Sequence, residues 1–337
     1  MLEELSYKDK DFFSAWNIST TNPIGLIFDV DELLYDNHDE IFAAYKYILQ
    51  KRNISIKEGE RFPGKDLFEV LDGIRKRYNL NEQLDTLVRE RREVYISLLK
   101  ETDKPCMDGV KELFQFIERY RNLLPLRIAL TSSSEEAFIA IILKKIFIYC
   151  GLPQYCESPE NFFFRHNGIN ASTFWRPGLN KKPSPELYFL TTEKLGLPVK
   201  QCIAFEDSKS GLEAARAAGL KVVVVPSKNN MNNFMYLQAH KIDGDCVKMD
   251  SLRRFCDILE NTFGTVLSKE NVKDFCELIN FRLPFIFFSE ELPYEETFQI
   301  CKNISKKFSE NISENGIQET GYVFVIGLNS EEANVTN

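Results

Sequence analysis

The feature that most constrains the fold is a short apolar run that ends in acidic residues near the start of the chain. Residues Ile24 to Phe28, with the letters IGLIF, predict a buried strand that begins after Pro23. Asp29 and Asp31 follow this run. Because side chains alternate along a strand, acids two residues apart project to the same side. Their repulsion requires a nearby cation or a shared proton, although a solvated acidic turn has the same pattern.

Short apolar runs recur along the chain, with helical segments between them. The letters LRIAL, CIAF and KVVVV begin at Leu126, Cys202 and Lys221, and the helical letters SGLEAARAAG separate the last two runs. The residues between 153 and 180 are rich in Phe, Asn and Gly and are predicted to be irregular. Alternating strands and helices predict an α/β fold with a parallel sheet covered on both faces. Ligands of such sheets bind beyond the carboxyl ends of the strands.

Composition and charge narrow the class of protein. The net charge is −8 and no stretch is densely basic, so we expect no nucleic-acid partner. Eight cysteines without a CxxC pair, together with three histidines, argue against a zinc site and against histidine-based catalysis. The N-terminus is charged, and the longest apolar run stops at Lys144, far short of a membrane span. We therefore expect a cytoplasmic protein with free thiols and no membrane partner.

Polar side chains follow three of the predicted strands, at the edge of the sheet where ligands bind. A lysine also precedes the helix that leads into the third strand. These residues are Asp29 and Asp31, Thr131 and Ser132, Glu206 and Asp207, and Lys182. Acids, hydroxyls and a lysine suit a Mg²⁺ site that holds a phosphoryl group, because Mg²⁺ prefers oxygen ligands. A carboxylate can also attack phosphorus directly.

Four stretches carry a resemblance to a known family. DVDELLYD, IALTSSSE, NKKPSPELY and CIAFEDSKSGLEAARAAG resemble, in the same order, the four motifs of the haloacid dehalogenase-like hydrolase superfamily. The likeness spans roughly Ile24 to Leu259 and is greatest to the helical-cap branch, which includes β-phosphoglucomutase and the CbbY-type xylulose bisphosphate phosphatases. The resemblance implies a Rossmann-like core with an inserted helical cap, and a Mg²⁺-dependent phosphatase that forms an aspartyl-phosphate.

The resemblance also implies roles for individual residues. Asp29 would be the nucleophile and Asp31 the general acid/base. Ser132 would bind the phosphoryl oxygens, with Thr131 as the alternative because the two hydroxyls are adjacent. Lys182 would neutralise the transferring group.

The same resemblance implies the metal ligands. Asp29, Glu206 and Asp207 would bind Mg²⁺ through their carboxylates, and Asp31 through its backbone carbonyl. The alternative for the last motif is structural, since Ser208 or Asp207 could cap the following helix.

Three positions bear on activity and substrate. Glu32 stands where the family usually has Gly, and its charge would either recruit a cation or slow attack on an anionic substrate. Ile41 occupies a position where the mutases of this branch carry a His in the first cap helix, which favours hydrolysis over mutation. Lys65, in the letters FPGKD, resembles the Gly-Lys element of the bisphosphate phosphatases and would bind a second phosphate; solvation is the alternative.

The predicted organisation has five parts. They are an N-terminal extension (1–22), a haloacid dehalogenase-like core (23–36 and 104–259), a helical cap (37–103), a small appended α/β module (260–328) and a disordered tail (329–337). The predicted partner is a small phosphorylated substrate, which the side chains of the cap would select. The sequence does not indicate an oligomeric state. A sugar-phosphate mutase and a catalytically silent scaffold that binds through its C-terminal module are the alternatives.

Overall fold

The computed structural model describes residues 12–55, 67–120, 124–227, 231–239 and 244–263. These residues form six strands and eleven α-helices, and single strands alternate with single α-helices from the third strand onward. The strands are β1 (Ile24–Phe28), β2 (Leu126–Glu135), β3 (Thr173–Trp175), β4 (Cys202–Glu206), β5 (Lys221–Val224) and β6 (Cys246–Lys248). The helices are α1 (Phe12–Ala15), α2 (His38–Gln50), α3 (Leu67–Arg77), α4 (Leu84–Glu101), α5 (Val110–Arg119), α6 (Glu136–Tyr149), α7 (Glu160–Asn167), α8 (Glu186–Leu195), α9 (Lys209–Ala217), α10 (Met231–Ala239) and α11 (Leu252–Phe263).

The strands form one parallel sheet in the order β3-β2-β1-β4-β5-β6. All residues of β1 and β4 are buried, as the uniformly apolar runs predict for central strands covered on both faces. Phe28 and Phe205 are partners in the β1–β4 register, and their rings stack with centroids 4.4 Å apart. The predicted α/β class and parallel sheet are therefore confirmed.

Two parts of the sheet were not predicted from the sequence. The segment expected to be irregular contains α7 and the edge strand β3, which pairs with the extended end of β2. Strand β6 pairs with β5 at the other edge. The prediction of an irregular segment was therefore wrong. Strand β3, like β6 at the other edge, has three residues, which are too few for a periodic pattern. Each forms through backbone pairing with a longer neighbour.

Helices α2, α3 and α4 lie in the chain between β1 and β2 and share an apolar cluster of their own. Its buried members are Tyr45, Ile48, Leu49, Val70, Leu71, Ile74, Leu87 and Val88. Ile41 packs against this cluster. A helical segment was predicted over this range, whereas the division of the chain into cap and core stays a prediction.

Most described residues belong to one compact unit, Phe13–Arg119 with Leu126–Cys256, which contains the whole sheet. The described residues of the second unit are Phe12, Tyr120, 124–125 and 257–263. The predicted C-terminal module and tail lie, from residue 264 onward, outside the described residues, as does the predicted N-terminal extension up to residue 11. No helix in the described ranges combines the length and the apolar character needed to cross a membrane.

Candidate active site

Three buried carboxylates converge at the carboxyl ends of β1 and β4. Asp29 directly follows β1, and its backbone N–H donates to the carbonyl of Phe205 (3.0 Å), which continues the pairing of the two strands. Glu206 ends β4 and Asp207 follows it. One carboxylate oxygen from each of Asp29, Glu206 and Asp207 lies within 4.8 Å of the others. The structure therefore brings together the three side chains that the sequence predicts as metal ligands.

Lys182 links the carboxylates of the two strands. Its Nζ donates to Asp29 Oδ1 (2.5 Å), to Glu206 Oε1 (2.6 Å) and to the carbonyl of Thr131 (2.8 Å). Burial alone would lower the pKa of Lys182, but the charges of Asp29 and Glu206 outweigh it and hold the pKa above its usual value. The ammonium group therefore stays charged beside the predicted nucleophile.

One lysine does not balance three carboxylates. Burial raises the pKa of Asp29 well above its usual value; Lys182 opposes this, and Glu206 and Asp31 add to it. Burial also raises the pKa of Asp207, with Glu32, Asp29 and Glu206 adding to the effect. A cluster of buried oxygen donors with too little positive charge suits a hard divalent cation such as Mg²⁺.

Asp31 lies beside the cluster and is held by hydrogen bonds from both sides. Ser132 Oγ donates to Asp31 Oδ2 (2.8 Å), and Asn37 Nδ2 donates to Asp31 Oδ1 (2.5 Å). The same Asn37 amide is 2.8 Å from the hydroxyl of Tyr95 on α4. Two hydrogen bonds thus fix the orientation of the predicted general acid/base.

The structure separates the two candidate hydroxyls of β2. Thr131 Oγ1 bonds to the hydroxyl of Thr191 on α8 (2.7 Å), whereas Ser132 Oγ reaches Asp31. Adjacent residues of a strand face opposite sides, so one of the pair must point away from the site. This arrangement favours Ser132 over Thr131 as the phosphate-binding hydroxyl, and the role itself stays a prediction.

Two residues that support Glu206 were missed by the sequence reasoning. The hydroxyl of Tyr188 on α8 donates to Glu206 Oε1. Gly211 in the first turn of α9 faces the same carboxylate, and a Cβ atom there would lie 1.8 Å from Glu206 Oε2. The Gly was visible in the fourth motif, but nothing in the sequence shows that it makes room for Glu206. The side chain of Ser208 accepts from Gly211 N (3.0 Å), so the predicted helix cap is present as well.

Glu32 is paired with a histidine at the edge of the acidic cluster. Its Oε1 lies 2.9 Å from Nδ1 of His38, at the start of α2, and its backbone has a φ of 62° in the left-handed region that Gly adopts most easily. Its charge raises the pKa of Asp207. Lys65, predicted to bind a second phosphate, lies outside the described residues.

Comparisons with known proteins agree with this geometry. A family model described as haloacid dehalogenase-like hydrolase matches residues 25–219. A phosphorylated carbohydrates phosphatase of Thermotoga maritima is 27% identical over 222 residues, which cover 61% of this chain and 87% of the relative. The putative phosphatase YhcW of Bacillus subtilis is 31% identical over 213 residues, or 60% of this chain and 83% of the relative. The crystal structure of β-phosphoglucomutase from Clostridium difficile has the same fold, with a TM-score of 0.51 and 20% identity over 72% of this chain and 98% of that chain.

Proposed function

The chain belongs to the haloacid dehalogenase-like hydrolase family, and from that premise we propose that it is a Mg²⁺-dependent phosphatase. Its substrate is a small phosphorylated metabolite, a sugar phosphate or sugar bisphosphate, and the reaction passes through an aspartyl-phosphate. The observation that carries this proposal is the cluster of Asp29, Glu206 and Asp207 around the ammonium group of Lys182. The relative from Thermotoga maritima, named a phosphorylated carbohydrates phosphatase, supports the substrate class.

Asp29 performs the first chemical step. Its Oδ1 accepts from Lys182, which leaves Oδ2 to attack the phosphorus atom and form a phosphate–aspartate bond. Lys182 offsets negative charge on the phosphoryl oxygens as the bond to the leaving oxygen breaks. Asp29, Glu206 and Asp207, with the backbone carbonyl of Asp31, would hold Mg²⁺, and its charge would stabilise the transferring phosphoryl group.

Asp31 handles the protons of both steps. Held by Ser132 and Asn37, it gives a proton to the leaving oxygen of the substrate. It then accepts a proton from the water that hydrolyses the aspartyl-phosphate and releases inorganic phosphate. Ser132 is close enough to Asp31 to bind a phosphoryl oxygen in the same site.

The alternative of a sugar-phosphate mutase differs in the fate of the phosphoryl group. Ile41 packs in the apolar cluster of α2–α4, so an apolar side chain occupies the position where mutases of this branch have a His. This observation favours hydrolysis. A catalytically silent scaffold would bind partners without turnover of any phosphate ester.

The proposal is tested by measuring inorganic phosphate released by the full chain from phosphorylated sugars and p-nitrophenyl phosphate, with magnesium or with chelator. We expect release that requires magnesium and is lost in Asp29→Asn, which keeps the shape of the side chain without its attacking oxygen. The exposed Asp250→Asn is the matched control and should behave as the unmodified protein. Activity in chelator, or in Asp29→Asn, would contradict the proposal. Isomerisation of a sugar phosphate without phosphate release would identify a mutase.

A further inference from the structure

Glu32 adopts a backbone conformation that disfavours any side chain. Its φ of 62° lies in the left-handed region, where residues other than Gly are strained. The backbone N–H of Glu32 donates to the carbonyl of Tyr35 (2.9 Å), so the turn that follows Asp31 fixes this conformation. Backbone strain of this kind concentrates at functional sites. A strained glutamate next to the predicted general acid/base therefore points to a role for its side chain.

The carboxylate of Glu32 is held through one of its two oxygens. Oε1 lies 2.9 Å from Nδ1 of His38, the first residue of α2, and the side chains of Glu32 and His38 are 12% and 14% exposed. Oε2 is shielded from solvent and has no hydrogen-bond partner among the described residues. Burying a carboxylate oxygen without a donor is costly. Oε2 therefore indicates a donor that the described part of the chain does not supply.

Glu32 lies beside the acidic cluster but outside the group of predicted metal ligands. Burial raises the pKa of Asp207, and the charge of Glu32 adds more to this effect than that of Asp29 or Glu206. Among the described acids, however, only Asp29, Glu206 and Asp207 have oxygens within 4.8 Å of one another. Ligands of one Mg²⁺ ion lie about 2.0–2.1 Å from it and hence at most about 4.2 Å apart. Glu32 is therefore close enough to attract the ion but too far from the other acids to bind it directly.

We propose that Glu32 accepts a hydrogen bond from a water molecule bound to the metal and so strengthens the binding of the divalent cation. The inference rests on the proposed function, since it assumes that Mg²⁺ binds between Asp29, Glu206 and Asp207. Mg²⁺ keeps several waters in protein sites, and acceptors outside the ligand set orient such ligands. His38 fixes Oε1, which leaves Oε2 for the water. Of the two effects that the sequence suggests for this charge, recruitment of a cation is the one that the contacts favour.

The test measures binding of Mn²⁺ to the full-length protein without substrate, by electron paramagnetic resonance of the free ion, and its displacement by Mg²⁺. Glu32→Gln keeps the shape of the side chain and removes its charge. We expect it to raise the Kd of both ions about 10- to 100-fold, the range for groups that support metal ligands from outside. Asp39→Asn removes the same charge from an exposed position next to His38 and should leave both Kd values unchanged.

A second variant separates cation binding from folding. Glu32→Gly relieves the strained backbone, so the metal-free protein should melt at a higher temperature while it binds Mn²⁺ as weakly as Glu32→Gln. A merely structural glutamate would give the opposite result, a lower melting temperature with unchanged Kd values. Glu32→Gly also decides the question if Glu32→Gln does not fold.

Three outcomes would overturn the proposal. They are unchanged Kd values in a folded Glu32 variant, an equal loss of affinity in Asp39→Asn, and no binding of Mn²⁺ by the unmodified protein. The last outcome would also remove the metal site of the proposed function. Cation binding that depends on Glu32, in a protein that releases no phosphate from any ester, would instead contradict the phosphatase activity alone.

Discussion

At the scale of single residues, Lys182 connects the two strands that carry the acidic cluster. Its ammonium group binds Asp29 after β1 and Glu206 at the end of β4, and the side chain is 4% exposed. A buried charge of this kind is stabilised only while its partners are present. The contacts that keep the lysine charged therefore also fix the position of the predicted nucleophile.

Loss of the proton of Asp31 should affect substrates unequally. In Asp31→Asn the hydrogen bond from Ser132 to this side chain can persist, but the group no longer donates an acidic proton to the leaving oxygen. We expect kcat for alkyl phosphates to fall by about 10²- to 10⁴-fold, and kcat for p-nitrophenyl phosphate to fall far less, because its leaving group needs no proton. Steady-state kinetics on both esters measures this; equal losses would assign Asp31 another role.

The close contact between Gly211 and Glu206 leads to a second prediction. In Gly211→Ala the new Cβ would overlap the Glu206 carboxylate, so that side chain must move away from Lys182 and Tyr188. We expect kcat/KM to fall about 10- to 100-fold, the range for changes that displace a supporting contact of a metal ligand.

Gly73 in α3 provides the matched control for that substitution. A Cβ atom there meets nothing within 4 Å, and the position is exposed in the helix interior. Gly73→Ala should keep full activity and raise the free energy of unfolding by about 0.5–1 kcal/mol, because Ala is the better helix former. Full activity in Gly211→Ala would show that Glu206 does not need its observed position.

At the scale of elements, the turn from β4 into α9 serves both the fold and the site. Glu206 is the last residue of the strand, and Ser208 caps the helix by accepting from the N–H of Gly211. The structural and the catalytic interpretations of the fourth motif are thus compatible, because neighbouring residues perform the two roles. The short connection leaves little freedom for Glu206 and Asp207 to move relative to the sheet.

Removal of the N-cap side chain of α9 should lower the stability of the protein more than its catalytic rate. Ser208→Ala deletes the side-chain acceptor of Gly211 N and should lower the free energy of unfolding by about 0.5–2 kcal/mol. Denaturant unfolding measures the loss, and kcat measured well below the unfolding transition should change by less than in Gly211→Ala. A stability equal to that of the unmodified protein would mean that the cap contributes nothing to α9.

At the scale of the whole molecule, the acidic cluster links cation binding to stability. Asp29, Glu206 and Asp207 come from the central strands of the sheet, and burial with mutual repulsion raises the pKa of two of them. A cation that binds only the folded protein shifts the folding equilibrium by mass action, by about 2.7 kcal/mol at a hundred times its dissociation constant. Magnesium should therefore raise the melting temperature of the entire unit.

Asp207→Asn tests this link. The metal-free variant should be at least as stable at pH 8 as the unmodified protein, because Asn is neutral where the buried Asp must carry a charge or keep a proton. The rise in melting temperature on adding magnesium should be largely lost. Asp250→Asn, at an exposed position, should retain the full rise. An unchanged magnesium response in Asp207→Asn would remove Asp207 from the proposed ligands.

The sequence by itself determined the α/β class, the central strands and the group of polar residues at their ends. This was possible because parallel strands place their carboxyl ends at one edge, so Asp29 and Glu206 had to approach each other once their strands were neighbours. The tertiary structure decided whether the hydroxyl of Thr131 or that of Ser132 reaches the site, since this depends on which side chains of β2 point toward Asp31. It also decided the edge strands, which form by pairing rather than by propensity, and the meeting of Tyr188 and Gly211 with Glu206. Contacts between side chains far apart in the chain depend on register and packing, which no local pattern of residues encodes.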